Sequence, residues 1–308
     1  EKTLIIYMMY DCMPADEPAW SVPPFEARLV KNHRVGDYPP FKTVLMARGA
    51  TNSKGPLVAF LNAMESIKAV TGELPVNLKF VAEGEEEQAS RHLPQFVNEH
   101  KDELKKADAM FFPLGGQDLD GKVRVTPGTK GISYVELECS GARWGRGPKQ
   151  FDIHGSNKVI VDSPVWRTIH ALKTMTSEDG NTVLIDGWYD NVAPPTQEEL
   201  EIIDNLIGKF DFKPMKESFK VDKFVLDEVK EKKKLLTRYF CEPSGLNIDG
   251  IYGGYTGPGT KTVLPYKVTA KMDVRFVPNQ KSEEFLPKIR AHLDKHGYKD
   301  IEVKQLNR

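Results

Sequence analysis

Pro75-Val76-Asn77-Leu78-Lys79-Phe80-Val81-Ala82-Glu83-Gly84-Glu85-Glu86-Glu87-Gln88-Ala89-Ser90 is the stretch on which the fold turns. Val76, Leu78 and Phe80 alternate with Asn77 and Lys79, and Val81-Ala82 extends the apolar run, so a strand is predicted. The strand delivers Glu85, Glu86 and Glu87 just past Gly84. In an open α/β sheet, ligands bind at the carboxyl ends of strands. An acidic triplet also suits a solvated loop entering a helix. Carboxylates crowded at a buried strand end repel one another, however, and require a cation or a proton.

Working outward, Leu4–Tyr7 reads as a strand buried on both faces, as in a parallel sheet. It empties into the loop Met8–Pro14. Residues 15–43 are rich in Pro and charge and read as irregular. Val44–Ala47 is a short strand, followed by a loop through Arg48–Pro56 that starts a helix. Leu57, Phe60, Leu61, Met64 and Ile67 give that helix one buried face. After the acidic strand end, one helix is predicted over Ser90–Lys106 with Leu93, Phe96, Val97 and Leu104 inward. Met110-Phe111-Phe112 follows as a buried strand. Alternating strands and helices predict a doubly wound, mostly parallel α/β sheet.

The pattern changes near Lys130, which divides the chain into expected domains of 1–130 and 131–308. In the second, Ile132–Cys139 alternates as a strand. Ser163 before Pro164 caps a helix bearing Val165, Trp166, Ile169 and Leu172. Thr196–Glu199 is a capping box for a helix burying Leu200, Ile203 and Leu206. Val268, Ala270, Met272, Val274 and Phe276 alternate with Lys267, Thr269, Lys271, Asp273 and Arg275, a half-buried antiparallel strand with one polar face. Ser282 opens a last helix carrying Phe285, Ile289 and Leu293, and Asp300–Val303 reads as a final strand. This is an α+β arrangement.

Composition narrows the function. The 308 residues have a formal net charge of −1, so nothing draws the chain to nucleic acid or to a membrane surface. No apolar stretch approaches a membrane span. The run Lys230-Glu231-Lys232-Lys233-Lys234 reads as a solvated helix face. Cys12, Cys139 and Cys241 lack metal-ligand spacing and suit free thiols in a reducing, cytoplasmic compartment. A chain that opens and closes inside strands is expected to be cut from something longer.

Several segments in order resemble the aminoacylase, carboxypeptidase G and carnosinase-type dipeptidase family of di-zinc hydrolases. They are Tyr7–Asp11, Ala47–Pro56, Glu83–Ser90, Phe151-Asp152-Ile153-His154-Gly155-Ser156, and Lys261–Pro265 through Arg275-Phe276-Val277-Pro278. Trp20 with Pro24-Phe25 resembles the carnosinase-like branch. The resemblance implies a catalytic domain with an α+β, ferredoxin-like lid that pairs two subunits into a homodimer. It also implies hydrolysis of amide or peptide bonds in dipeptides or N-acyl amino acids. By the same resemblance Glu86 is the general base, Glu87 a zinc ligand and Asp11 the orienter of a ligand. His154 would hold the reacting carbonyl, and Arg275 and Thr262 the substrate carboxylate.

The departures matter equally. Met9 stands where the family has its first histidine ligand, and Asn52, followed by Ser53, where it has the bridging aspartate. A further aspartate ligand would fall near Leu114 or Gly115. A thioether and an amide are poor zinc ligands. Fewer than two zincs per chain are therefore expected, with Gln117 or Asp118 as substitute donors if two are held. Three readings stay open at this point: a hydrolase with a rewired site, a non-catalytic binding or assembly relative, and a metal-free enzyme using Glu86 and His154.

Overall fold

The computed structural model describes residues 2–16, 18–35, 39–114, 116–117, 121–124, 128–243 and 245–306. The chain divides into two compact units, Glu1–Pro127 and Gly128–Arg308.

The first unit runs β1 (Thr3–Met9), β2 (Arg28–His33), β3 (Phe41–Met46), α1 (Gly55–Thr71), β4 (Asn77–Glu83), α2 (Leu93–Glu99), α3 (Lys101–Leu104), β5 (Ala109–Phe111), and the pair β6 (Gly116–Gln117) and β7 (Val123–Arg124). β4, β1 and β5 form a parallel sheet in that order. The chain steps from β1 outward to β4, then back across β1 to β5. With right-handed crossovers, those opposite steps put the two connecting helical segments on opposite faces. The contacts agree. Phe60 of α1 packs on Phe111, 5.7 Å between ring centroids, whereas Lys79, on the other face of the sheet, reaches the Glu103 carbonyl of α3 at 3.1 Å. The doubly wound reading therefore holds.

Several local expectations do not. Residues 15–43 are not wholly irregular, because β2 pairs antiparallel with β3, setting Leu29 against Leu45 and Val30 against Val44. Those cross-strand apolar pairs outweigh a Pro- and charge-rich composition. The helix predicted over 90–106 is broken at His100, whose backbone leaves the helical region while its ring packs on Phe96. Phe96 and Val97 remain exposed. Met110 and Phe111 are exposed as well, since β5 is a three-residue edge strand. No residue of α1 is fully buried, because the sheet beneath it is narrow.

The second unit contains β8 (Gly131–Ser140), α4 (Gly141–Trp144), β9 (Ile153–His154), α5 (Pro164–Met175), α6 (Gln197–Ile207), α7 (Lys213–Phe219), α8 (Lys232–Cys241), β10 (Gly245–Tyr252), β11 (Val263–Leu264), β12 (Lys267–Phe276), α9 (Phe285–Lys295) and β13 (Glu302–Gln305). Its antiparallel sheet has the order β10-β12-β8-β13. With α5 after β8 and α9 after β12, that is the ferredoxin-like βαββαβ order, into which α6–α8 are inserted. Val135, Leu137, Ala270, Met272 and Val274 from the sheet meet Ala171 and Met175 of α5 and Phe285, Ile289 and Leu293 of α9 in one core. Each fully buried Leu, Ile or Val there contributes roughly 1.5–3 kcal/mol. The inserted helices carry their own small core of Ile203, Phe210, Phe212, Leu235 and Leu236. The capping box at Thr196 and Glu199 forms as read.

Three expectations in this unit are corrected. The buried stripe of α5 is Thr168, Ala171, Leu172 and Met175, whereas Trp166 and Ile169 face solvent. A threonine is tolerated inside because its hydroxyl donates to the Pro164 carbonyl at 2.9 Å. Ser163 precedes the helix without making a side-chain cap. The polar face of β12 is also not simply solvated, since Thr269 and Asp273 are buried on it. Among the described residues, no helix is long and apolar enough to cross a membrane.

Candidate active site

Parallel pairing places Met9 beside Glu83, so the loops after β1 and β4 leave the sheet at the same end. The Tyr10 amide donates to the Glu83 carbonyl at 3.0 Å and carries the pairing one residue further. Gly84 sits against the Tyr10 ring, where a Cβ would come within 2.8 Å of ring carbons. The chain then makes a single 3-10 turn over Glu86–Gln88. Asp11 pins that turn, its Oδ2 accepting the Glu87 amide at 3.0 Å. From the tight turn Ala50–Lys54, Asn52 Nδ2 donates to Glu87 Oε1 at 2.8 Å. The buried Ser53 hydroxyl donates to the Met9 carbonyl at 2.9 Å. The peptide bond between Asn52 and Ser53 is cis.

Three residues not anticipated from the sequence complete the cluster. Glu83 accepts hydrogen bonds from the Tyr7 hydroxyl and, at 2.9 Å, from the Ser90 hydroxyl. Burial and Glu83 together push the Tyr7 hydroxyl above its ordinary value, so it remains a donor. A glutamate closing an apolar strand was the available clue. Asp11, Glu83, Glu86 and Glu87 thus gather at one end of the sheet, and three of them are held by hydrogen bonds. Glu86 is the exception: its carboxyl makes no hydrogen bond among the described residues. Partial burial raises its pKa, and the neighbouring Glu87, Asp11 and Glu83 carboxylates raise it further. A carboxylate with free lone pairs and elevated proton affinity is equipped to take a proton from water.

Glu85 turns the other way, to His92 Nδ1 at 2.7 Å, and the imidazole holds its pKa below the usual range. Because an exposed pair of this kind contributes little, Glu85→Gln is expected to leave turnover within about twofold of wild type. Steady-state rates check this.

In the second unit, β9 pairs with β11 and sets His154 opposite Val263. Gly155 lies where a Cβ would be 2.9 Å from the Thr262 methyl, which allows these two loops to close together. His154 Nδ1 accepts the Ser156 amide at 3.3 Å. A neutral ring in that arrangement carries its hydrogen on Nε2, leaving an exposed donor. Arg275 lies near the far end of β12 from this loop pair. Eight residue steps of strand separate Lys267 from Arg275, a distance of roughly 27 Å. His154 and Thr262 are therefore brought together, and Arg275 is not brought to them.

The model of peptidase family M20/M25/M40 matches residues 5–305. The chain belongs to this family. It is 31% identical over 299 residues to the β-Ala-His dipeptidase of Rattus norvegicus, covering 96% of this chain and 55% of that protein. It is 30% identical over 296 residues to the Cys-Gly metallodipeptidase DUG1 of Candida albicans, covering 95% and 56%. The M20 family metallo-carboxypeptidase Sso-CP2 of Sulfolobus solfataricus superposes with a TM-score of 0.83 at 33% identity, covering 99% of this chain and 64% of that one. The chain spans about half the length of the curated relatives it matches.

Two of these M20 relatives are metalloenzymes by name, which makes the donor set here a question of chemistry. Met9 is buried and offers a thioether, and Asn52 turns its amide N–H groups, not an anionic oxygen, toward Glu87. Leu114 has no donor atom. Gly115 and Asp118 lie outside the described residues. Asp11 Oδ1 is shielded from solvent without a hydrogen-bond partner among the described residues. An imidazole at position 9 would have an N–H to give, and a thioether has none. Among the described residues, no group of three His, Cys, Asp or Glu side chains is placed to hold a metal. Among the described residues, those at these positions do not fit a two-metal centre.

Proposed function

We propose that this chain supplies the base-bearing part of a dipeptidase or amidohydrolase acting on small substrates with a free carboxylate, such as dipeptides and N-acyl amino acids. The observation carrying the proposal is Glu86, a partly buried carboxyl with no hydrogen-bond partner among the described residues, set among three anchored carboxylates at the end of the sheet. Residues 1–130 act as the catalytic domain and residues 131–308 as a lid. Glu86 takes a proton from the attacking water. His154 Nε2 donates to the reacting carbonyl, and Arg275 and Thr262 receive the substrate carboxylate. The names of the M20 relatives support this reading, as does the family match over nearly the whole chain.

Zinc, where held, is held at fewer than two ions per chain, with Glu87 as the surviving ligand. The free thiols Cys12, Cys139 and Cys241 are consistent with a cytoplasmic protein. The test of the activity is release of free amino acids from a panel of dipeptides and N-acyl amino acids. Binding without release from any member would favour the non-catalytic reading.

The separation along β12 supports assembly as a homodimer through the lid. One dipeptide is too short to touch Arg275 and the His154–Thr262 loops of the same chain, so a second copy is needed to present one of the two. Among the described residues β10 also leaves an unpaired edge, bearing exposed Ile248, Ile251 and Tyr252. Light scattering is expected to give twice the chain mass, and a monomer mass at every concentration would remove the dimer.

A further inference from the structure

In the sequence Asp273 is one polar residue on an alternating strand. In the fold its side chain is only 9% exposed, yet it sits two residues from Arg275 on the same face of β12. Buried carboxylates are rare unless they are paired and hydrogen-bonded. Here Oδ1 accepts Arg275 Nε at 3.1 Å, and Oδ2 accepts Asn247 Nδ2 at 2.8 Å. The same Asn247 nitrogen gives its other hydrogen to Asp249 Oδ1 at 2.9 Å. Asn247 lies directly opposite Asp273 in the β10–β12 register, and the register shifts at Asp249. Asp249 lies close enough to Asp273 that burial and the neighbouring carboxylate raise its pKa above the ordinary value. The terminal nitrogens of Arg275 have no partner among the described residues, and the side chain is 45% exposed.

We infer that Asp273 is a positioning residue for Arg275: by taking the Nε hydrogen it directs the two terminal nitrogens outward as the fork that receives a substrate carboxylate. This rests on the reading of Arg275 as the carboxylate contact and specifies how that contact is built. An unsupported arginine loses rotamer freedom when it binds, whereas one tied at Nε has already lost part of it. The ion pair also cancels much of the local charge. Recognition then depends on the geometry of two parallel N–H groups rather than on a general positive field, which selects a planar carboxylate over other anions. Asn247, hydrogen-bonded to Oδ2, keeps Asp273 from swinging away.

The test compares calorimetric binding of β-alanyl-histidine and of its C-terminal amide, which keeps the shape and removes the charge. Wild type is expected to prefer the acid, and Arg275→Met to lose that preference. Asp273→Asn should reduce the acid-over-amide ratio about five- to tenfold, the effect of immobilising one long side chain. In the Arg275→Met background, Asp273→Asn should change the ratio no further, because it acts through Arg275. Asn247→Ala keeps the Asp273 charge and should weaken the ratio in the same direction, which covers the case that Asp273→Asn fails to fold. Full retention of the ratio in a folded Asp273→Asn, or an equal further loss in the Arg275→Met background, overturns the positioning role while leaving Arg275 in place. A wild type that does not distinguish acid from amide, or binds neither, overturns the carboxylate reading of Arg275 and the inference with it.

Discussion

Replacing Glu86 by Gln is expected to lower turnover by about a hundredfold or more while leaving thermal unfolding in place, because a positioned general base typically contributes on that scale. Gln is nearly isosteric but cannot accept a proton. Nothing structural depends on the carboxyl, which has no hydrogen bond among the described residues. The surrounding groups are occupied otherwise: Glu83 by Tyr7 and Ser90, Glu87 by Asn52, and Asp11 by the Glu87 amide. The substitution also removes one of several mutually repelling carboxylates, so stability should hold or rise slightly. Since burial and its neighbours raise the Glu86 pKa, the acid limb of kcat/KM is expected above the ordinary glutamate range. Rates and melting curves measured on the same preparations decide the matter. Equal turnover in wild type and Glu86→Gln would remove the catalytic role.

A second large effect is expected at Asn52. Its amide nitrogen lies 2.8 Å from Glu87 Oε1, where a hydrogen bond satisfies the carboxylate. Asn52→Asp replaces a donor by a second anion at that distance. Without a cation the two must share a proton or move apart, at a cost of about 1 kcal/mol for this partly exposed pair. With zinc the same pair becomes a site for positive charge. Since an outer-shell partner alone changes metal affinity about 10–100-fold, an added first carboxylate should raise zinc affinity at least about tenfold. The variant should therefore melt below wild type in a chelator and gain more from zinc than wild type does. Elemental analysis of wild type should find fewer than two zincs per chain. Two tightly held zincs in wild type, or no difference in zinc response between the two proteins, would contradict this account of the centre.

What was legible in the sequence follows the range of the forces involved. The strand before the acidic turn, the Thr196 capping box and the Phe285–Ile289–Leu293 stripe are set by neighbours along the chain and all three form, although Phe80 is exposed and Lys79 half-buried, against the alternation expected of that strand. The hairpin Arg28–Met46 was missed because it depends on cross-strand pairs that a Pro- and charge-rich composition conceals. The break at His100 and the rotation of α5 toward Thr168 depend on what each helix packs against. In the candidate site, the acidic triplet separates into distinct roles only in three dimensions, with Glu85 turned to His92, Glu87 tied to Asn52 and Glu86 left open. Tyr7 and Ser90 converge on Glu83 from either side of it in sequence, and Asn247 reaches Asp273 across two strands. Neither convergence has a local signature.

The most direct measurement is hydrolysis of β-alanyl-histidine in heavy-oxygen water, with protein in excess over substrate and the products read by mass spectrometry. The account predicts that the released β-alanine carries one solvent oxygen in its carboxylate with wild type, and that Glu86→Gln releases none over the same interval. Intact substrate in both, or labelled product at equal rates from both, would contradict it.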